Sequence, residues 1–462
     1  MKHRTQRLLG ALAFSLLSMP MFAQLAGSYT IDAAGTGTSN YTSFGAAVTA
    51  LNTSGVSGAV TFNVASGTYT EQVNLGSVTG ASSTNSITFQ GSTTAASILT
   101  YTPSGSSDNW TVKMTGTDYI TFDNMTITSG GSSYGRLIIY TDTVTDFNLT
   151  NCHLIGRTSS GASGSTSSNY AGLYYSYPAV AAGNWHISDN TFDSVSYAIY
   201  VYGLGYGVGS GADSVFVEDN TINANYTGFY VRYAKYQKMH DNMISDINGG
   251  SLRNYAYYPV YELDVQNNTV NSASYGIYCY SAPPTSGATG GIKVNVSNNH
   301  FEGTYYGIRV GGSGSSTTEK FTDVLIENNT IEAWGSSFNY GIYLGYVNAP
   351  GTARARVQNN MIALNTTSTT GTLYGIYPYH CANVDIYHNS VSANGGSLTN
   401  SRLLYLNHSS SSSYFSPGGN KAKNNTFVNY NGGKCVVGQS ATTGSATYMM
   451  ADHNLHYTTN TS

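Results

Sequence analysis

A six-residue signature of the form apolar–x–polar–Asn–x–apolar returns twelve times along this chain of 462 residues. The clearest copies are Ile187-Ser-Asp-Asn-Thr-Phe192, Val217-Glu-Asp-Asn-Thr-Ile222, Val265-Gln-Asn-Asn-Thr-Val270, Val296-Ser-Asn-Asn-His-Phe301, Ile326-Glu-Asn-Asn-Thr-Ile331 and Val357-Gln-Asn-Asn-Met-Ile362. Weaker copies centre on Met125, Cys152, Asn242, Asn389, Asn425 and His453, so the steps between copies run from 22 to 38 residues. A recurring unit of that length stacks on its neighbours to bury its apolar face, which points to one solenoid and not to a string of globules.

The chemistry inside the unit selects the kind of solenoid. Between the apolar residues lie Asn, Gly, Ser, Thr and Tyr, which favour strands and turns over helix. Apolar positions alternate, as in Ala198-Ile-Tyr-Val-Tyr202 and Gly276-Ile-Tyr-Cys-Tyr280, which puts Ile199, Val201, Ile277 and Cys279 on one face of a strand and the tyrosines on the other. Asn tolerates left-handed backbone, so the fourth motif position is expected at the corner between two strands. Its amide both donates and accepts, so successive Asn side chains are expected to form a ladder at the strand spacing of about 4.8 Å. Met125, Cys152 and His453 are the exceptions at that position, near the ends of the array.

On these residues the chain resembles right-handed parallel β-helix proteins of the pectin-lyase-like superfamily. The opening segment adds to the resemblance through Gly27-Ser-Tyr-Thr-Ile31, Tyr41-Thr-Ser-Phe-Gly-Ala-Ala-Val-Thr-Ala-Leu51, Val60-Thr-Phe-Asn-Val64 and Gly67-Thr-Tyr-Thr-Glu-Gln-Val73. The resemblance implies an all-β, single-stranded right-handed parallel β-helix over about residues 27–457. It does not select a function, because the fold hosts hydrolases, lyases, epimerases, esterases, tailspikes and adhesins. Phe44, Ala47, Val48 and Leu51 form the apolar stripe of a short helix with Thr42 or Ser43 as N-cap, expected to cap the first coil. The expected organisation is a signal peptide over 1–23, an N-terminal strand and capping helix over 24–59, and the β-helix over 60–462.

Length scaling to several domains does not apply to a stacked array, and roughly fourteen coils each rising about 4.8 Å are expected. Charged residues make up 9% of the chain and its net charge is −4, which gives no electrostatic case for nucleic acid or an anionic membrane. Lys2, His3, Arg4 and Arg7 followed by the apolar run Leu8 to Phe22 and Ala23-Gln24 read as a secretory signal, so the protein is expected outside the cell or on its surface. Nothing later approaches a membrane span. Cys152 and Cys279 fall on inward positions, while Cys381 and Cys435 lie close enough in coils to leave a pairing open; reduced core residues are the preferred reading for all four. Ser- and Gly-rich stretches at 156–169, 203–214, 281–291, 311–318 and 408–420 read as loops leaving the rod.

Forty tyrosines supply the first candidate site. Stacked coils put Tyr174, Tyr200, Tyr230, Tyr278, Arg309, Tyr343 and Tyr377 in one outward column and Tyr202, Arg232, Tyr280 and Tyr379 in the next. Such a strip either serves as a stacking ladder alone or holds the apolar faces of sugar rings while its hydroxyls reach sugar hydroxyls. A second candidate is the carboxylate column Asp189, Asp219 and Asp241, with Glu218 beside it, which either is turn chemistry or takes Ca²⁺ through oxygen ligands. Third, Arg232, Lys235, Lys238, His240 and Arg253 form a basic cluster next to the acidic column. Lyases of this fold use Arg or Lys to abstract a proton, so the resemblance makes this cluster the catalytic candidate; a solvated face is the plainer reading.

Hydrolysis of glycosides calls for two carboxylates about 5–9 Å apart across a cleft. The Asp-Asp and Gly-His-Gly motifs of polygalacturonases are absent, as are the Gly-Arg-Pro-Trp segment of pectinesterases and the Asp-Pro-His motif of alginate epimerases; Tyr377-Pro-Tyr-His380 only echoes the last. The expectation is therefore an exported, carbohydrate-binding or adhesin-like module without catalysis, its partner a neutral or weakly acidic polysaccharide. A uronate polysaccharide lyase and a purely structural rod are the alternatives. No capping helix follows Leu455-His-Tyr457 before Ser462, so end-to-end self-association or a further C-terminal domain is also expected.

Overall fold

The computed structural model describes residues 23–157, 167–175, 182–202, 214–247, 252–259, 261–281, 291–312, 321–335, 338–347, 353–397, 399–408, 419–440 and 449–459. Apart from Ala23, the expected signal segment lies outside these residues, as do most of the Ser- and Gly-rich interruptions.

One coil shows how the repeat becomes a turn of the solenoid. Ser214–Glu218 is a strand with Val215 and Val217 buried. Asp219 takes a left-handed φ of 56°, Asn220 turns inward, and the chain enters the strand Thr221–Arg232. Consecutive buried residues at Thr227, Gly228 and Phe229 break the alternation and move the chain to a third side. Tyr233, at φ 59°, then returns it to the strand Tyr236–His240, which pairs in parallel with the starting strand, Val217 opposite Met239.

Repetition of this path builds a sixteen-stranded sheet on one side and a 23-stranded sheet around the other two. A small pairing of Val144–Thr145 with Ala182–Gly183 stands apart. Ile187, Val217, Met239, Val265, Val296, Ile326, Val357 and Ile386 form one fully buried column of the core. Near the start, Phe62, Phe89 and Phe122 continue the core as a ring stack at 5.1 and 5.2 Å. Each such side chain contributes about 1.5–3 kcal/mol on burial, so the rod is held by many modest increments.

The asparagine ladder forms, with two differences from expectation. Along Asn190, Asn220, Asn242, Asn268, Asn299, Asn329, Asn360, Asn389 and Asn425, each backbone N–H and Nδ2 donate to Oδ1 of the next Asn at 2.9–3.1 Å. The left-handed corner is not this residue but the one before it: Asp189, Asp219, Asp241, Asn267, Asn298, Asn328, Asn359, His388 and Asn424 lie at φ 54–58°. The last rung is Asn454 and not His453, because His453 takes the corner at φ 51°. Cys152 starts the ladder by donating its backbone N–H to Asn190 Oδ1 at 2.9 Å.

The expected helix spans Phe44–Ser54 and buries Phe44, Ala47, Val48 and Leu51. Ser43 is the N-cap, its Oγ accepting from Ala46 N–H at 3.1 Å. Glu71 adds a carboxylate at the same end, accepting from the N–H groups of Phe44 and Gly45 at 3.0 and 2.8 Å. The Phe44 ring meets Tyr69 and Phe89, which joins the helix to the first coils, while the sheet edge itself is Asn40–Tyr41. Cys152, Cys279, Cys381 and Cys435 are free and buried, and burial pushes the Cys152 and Cys381 thiols up to about 12. No helix among the described residues is long and apolar enough to cross a membrane.

Candidate functional site: the tyrosine face

Strand register settles which side chains share a face. Tyr174 pairs with Tyr200, Tyr200 with Tyr230, Tyr230 with Tyr255, Tyr255 with Tyr278, Tyr278 with Arg309, Arg309 with Tyr343 and Tyr343 with Tyr377. This is the expected first column with Tyr255 inserted. Tyr405 extends it, its ring 4.8 Å from Tyr377. The second column runs Tyr202, Arg232, Tyr257, Tyr280, Gly311, Gly345 and Tyr379, now including Tyr257.

A third column was not anticipated. Arg253 pairs with Tyr275, which is followed by Tyr306, Tyr340, Tyr374 and Arg402. Its signal lies in the repeated Tyr-Gly-Ile of Tyr275-Gly-Ile277, Tyr306-Gly-Ile308, Tyr340-Gly-Ile342 and Tyr374-Gly-Ile376. The glycines are steric necessities: a Cβ on Gly276, Gly307, Gly341 or Gly375 would collide with Phe301, Ile331, Ile362 or Val391. Where an Asn254 replaces the glycine, its Oδ1 accepts from Phe229 N–H and its Nδ2 donates to Gly276 O, both at 3.0 Å.

The rings pack continuously along the face: Tyr255, Tyr306, Tyr377 and Tyr405 are buried, and Tyr174, Tyr200, Tyr230, Tyr278, Tyr340 and Tyr343 are partly exposed. Parallel stacks join Tyr200 to Tyr230 and Tyr306 to Tyr340, both at 4.5 Å, and Tyr340 to Tyr374 at 4.9 Å. Edge contacts tie the columns, as between Tyr275 and Tyr278 at 5.8 Å and Tyr343 and Tyr377 at 5.3 Å. Burial raises the phenols of Tyr200, Tyr255, Tyr306, Tyr340, Tyr343 and Tyr377 above the ordinary tyrosine value, and takes Tyr197 up to about 12, so these hydroxyls stay protonated as hydrogen-bond donors. In the second column Gly311 and Gly345 stand between Tyr280 and Tyr379; both are buried, and a Cβ on Gly345 would meet the Tyr343 ring at 2.8 Å.

Arginines lie on the rings. Arg136 sits 4.2 Å over Tyr174, Arg309 4.4, 4.9 and 5.0 Å over Tyr278, Tyr306 and Tyr343, and Arg402 4.3 Å over Tyr405. Arg232 lies 5.7 Å over Tyr257 and Arg253 5.5 Å over Tyr275. The three columns contain no Asp or Glu among the described residues.

The expected basic cluster is divided by a corner of the solenoid. Arg232 and Arg253 belong to the tyrosine face, whereas Lys238 and His240 stand on the sixteen-stranded sheet, with Lys235 on the connection between. There Lys238 Nζ lies 4.9 Å over Phe216, and His240 lies 3.1 Å from Asp264 and 3.6 Å from Glu218. The cluster is not a single catalytic constellation, because residues 232–240 straddle two sides of the coil. Asp189, Asp219 and Asp241 are exposed corner residues at φ 58°, 56° and 54°. Among the described residues no three His, Cys, Asp or Glu side chains come together as a metal cluster.

Comparison with known proteins places the chain by fold. Residues 179–331 match the right handed beta helix region family. No curated protein sequence matches significantly. Among solved structures, the chain is similar to the A-module of the mannuronan C-5 epimerase AlgE6 of Azotobacter vinelandii, at 11% identity over 89% of this chain and 94% of that one, TM-score 0.45. It is also similar to the GH136 lacto-N-biosidase of Eubacterium ramulus, at 11% identity over 93% and 67% of the two chains, TM-score 0.40. The catalytic unit of the GH87 alpha-1,3-glucanase of Streptomyces thermodiastaticus strain HF3-3 gives 14% identity over 92% and 70%, TM-score 0.39. Its strands pair in parallel from coil to coil, so the chain folds as a parallel β-helix, and residues 179–331 carry the match to the right handed beta helix region.

Proposed function

We propose that the chain is an exported carbohydrate-binding module that holds an extended glycan along its tyrosine face, parallel to the rod axis. The observation that carries this reading is the unbroken ring surface from Tyr174 to Tyr405. Aromatic faces take the apolar faces of sugars, and protonated phenols reach sugar hydroxyls. Cleavage by hydrolysis asks for paired carboxylates about 5–9 Å apart, and the described part of this face supplies rings, hydroxyls and guanidiniums instead, which leaves elimination as the rival to binding. In this reading the helix over Phe44–Ser54 covers the first coil and the rod presents the face at a surface.

Affinity electrophoresis through gels containing polysaccharides tests the reading. The triple variant Tyr278→Ser, Tyr343→Ser, Tyr377→Ser should lose at least about tenfold in retardation, while the matching Phe triple, which keeps the stack, should retain part of it. Equal retardation of the wild type and the Ser triple removes the tyrosine face as the site. Unsaturated, ultraviolet-absorbing chain ends released from a uronate polymer would replace binding with the lyase reading.

A further inference from the structure

The arginines on the tyrosine face are spaced by a rule. Arg136 precedes the strand Ile138–Tyr140, and three pairings, Ile139 to Tyr174 to Tyr200 to Tyr230, lead to the strand of Arg232. Three more, Tyr230 to Tyr255 to Tyr278 to Arg309, lead to Arg309. Another three, Arg309 to Tyr343 to Tyr377 and on to the strand Arg402–His408, lead to Arg402. Arg136, Arg232, Arg309 and Arg402 thus stand three coils apart, about 14 Å along the axis at the usual strand spacing, and Arg253 lies one coil beyond Arg232. Adjacent coils reinforce the stations: Lys113 pairs with Ile139 from the coil before, Arg253 follows Arg232, and Lys434 pairs with Arg402 from the coil after.

Arg136, Arg253, Arg309 and Arg402 have no carboxylate within 4.0 Å among the described residues, unlike Arg354, which sits 2.7 Å from Asp385 on the other sheet. The Nε atoms of Arg253, Arg309 and Arg402 are buried without a hydrogen-bond partner, so these groups are partly desolvated against the rings. The sixteen-stranded sheet mixes its cations with carboxylates, as at Arg354 and Asp385, whereas the three tyrosine columns carry arginines and, among the described residues, no Asp or Glu. Guanidiniums stripped of water and flanked by rings attract an anion more strongly than solvated ones do.

We infer that the glycan held by this face is sparsely anionic: a heteropolysaccharide with one carboxylate or sulfate per about three sugars, its acid groups meeting the arginine stations and its neutral sugars lying on the tyrosines between them. The count follows because a pyranose in an extended chain advances by close to one strand spacing. A polymer charged at every sugar would set most of its acids over rings, which repel anions through their negative faces, and a neutral polymer would bring no anion to Arg136, Arg253, Arg309 or Arg402. This inference rests on the glycan-binding reading above and sharpens it.

Affinity electrophoresis with three classes of polymer tests it: neutral hydroxyethyl cellulose and dextran, sparsely acidic gellan, xanthan and succinoglycan, and densely acidic alginate and polygalacturonate. The sparsely acidic class should retard the wild type at least tenfold more strongly than either other class, with retardation falling as salt rises. Replacing the stations together, Arg232→Gln, Arg309→Gln and Arg402→Gln, should abolish that preference, and the corresponding Lys triple should restore most of it. Arg354→Gln, off the face, should leave it unchanged. Stronger retardation by neutral or densely charged polymers, or a Gln triple that behaves as wild type, overturns the inference while leaving glycan binding standing. Retardation by no polymer of any class overturns both.

Discussion

At the scale of single residues, two neighbouring asparagines with the same side chain do different work. Asn298 is exposed and sits at φ 58°, where it turns the corner; Asn299 is buried and carries the ladder. Removing the Asn299 amide strands the Asn268 backbone N–H, which donates to it at 2.9 Å, takes one of three acceptors from Asn268 Nδ2, and removes the donor that Nδ2 of Asn299 gives the Val265 carbonyl. Asn299→Ala should therefore cost about 3 kcal/mol, the penalty of buried groups left unpaired. Asn298→Gly should change stability by no more than about 0.5 kcal/mol, because glycine enters left-handed backbone freely. Urea midpoints of the two variants check this, and similar losses at both positions would remove the division of labour. The sequence motif exposes both residues but not which is which, since Asn suits a corner and a ladder equally. Only the corner column, with Asp, Asn and His alternating at 189, 219, 241, 267 and 388, shows the looser chemistry of a solvent position.

Elements explain which parts of the face were legible. Gly-Ile-Tyr marks a strand whose isoleucine is inward and whose tyrosine is outward, so the first column could be read from alternation alone. Tyr255 and Tyr257 escaped because Asn254 stands where the glycine should be, bridging Phe229 of the coil before and Gly276 of the coil after. The column of Tyr275, Tyr306, Tyr340 and Tyr374 escaped because each ring precedes its glycine and looks like part of a turn. The basic cluster failed for a geometric reason: eight residues of chain are enough to round a corner, so nearness in sequence is not nearness on a face. If the columns are mutually supporting elements, Tyr306 and Tyr340, stacked at 4.5 Å, should be coupled. A double-mutant cycle with Tyr306→Ala and Tyr340→Ala should return about 0.5–1.5 kcal/mol of interaction. A coupling near zero would mean that the rings only share burial. On the opposite sheet, burial raises Asp264, but hydrogen bonds from His240, Gln266 and Asn295 outweigh it and hold the carboxyl below its ordinary value. A lowered carboxylate contributes stability that is complete above the ordinary range and is lost as pH falls through the lowered value. Melting temperatures of the wild type should thus drop more steeply in that acid window than those of Asp264→Asn; parallel curves would show that the network does not stabilise the charge.

The molecule as a whole is one-dimensional, and its stability should be graded along the axis. Each coil touches only the coils before and after it, so an interior coil has two supporting interfaces and a terminal one has a single interface. The two ends differ. At the first, Phe44, Ala47, Val48 and Leu51 of the helix are buried in the core, and Glu71 and Ser43 secure the helix N-terminus. At the other, all four residues of the strand Leu455–Thr458 are exposed, with Leu455 at 62% and Tyr457 at 52%, beside Met450 and Tyr430. Among the described residues that strand's partner is Thr426–Asn429, in parallel register. Hydrogen exchange should therefore be fastest in Leu455–Thr458, slower through Thr426–Asn429, and slowest in interior strands such as Phe321–Glu327 and Ala355–Gln358. The strands next to the helix, including Val56–Val64, should be protected closer to the interior level than to that of the far end. Uniform protection from end to end would mean that the coils unfold as a single cooperative unit, and the additive account of this rod would then give way to a two-state one.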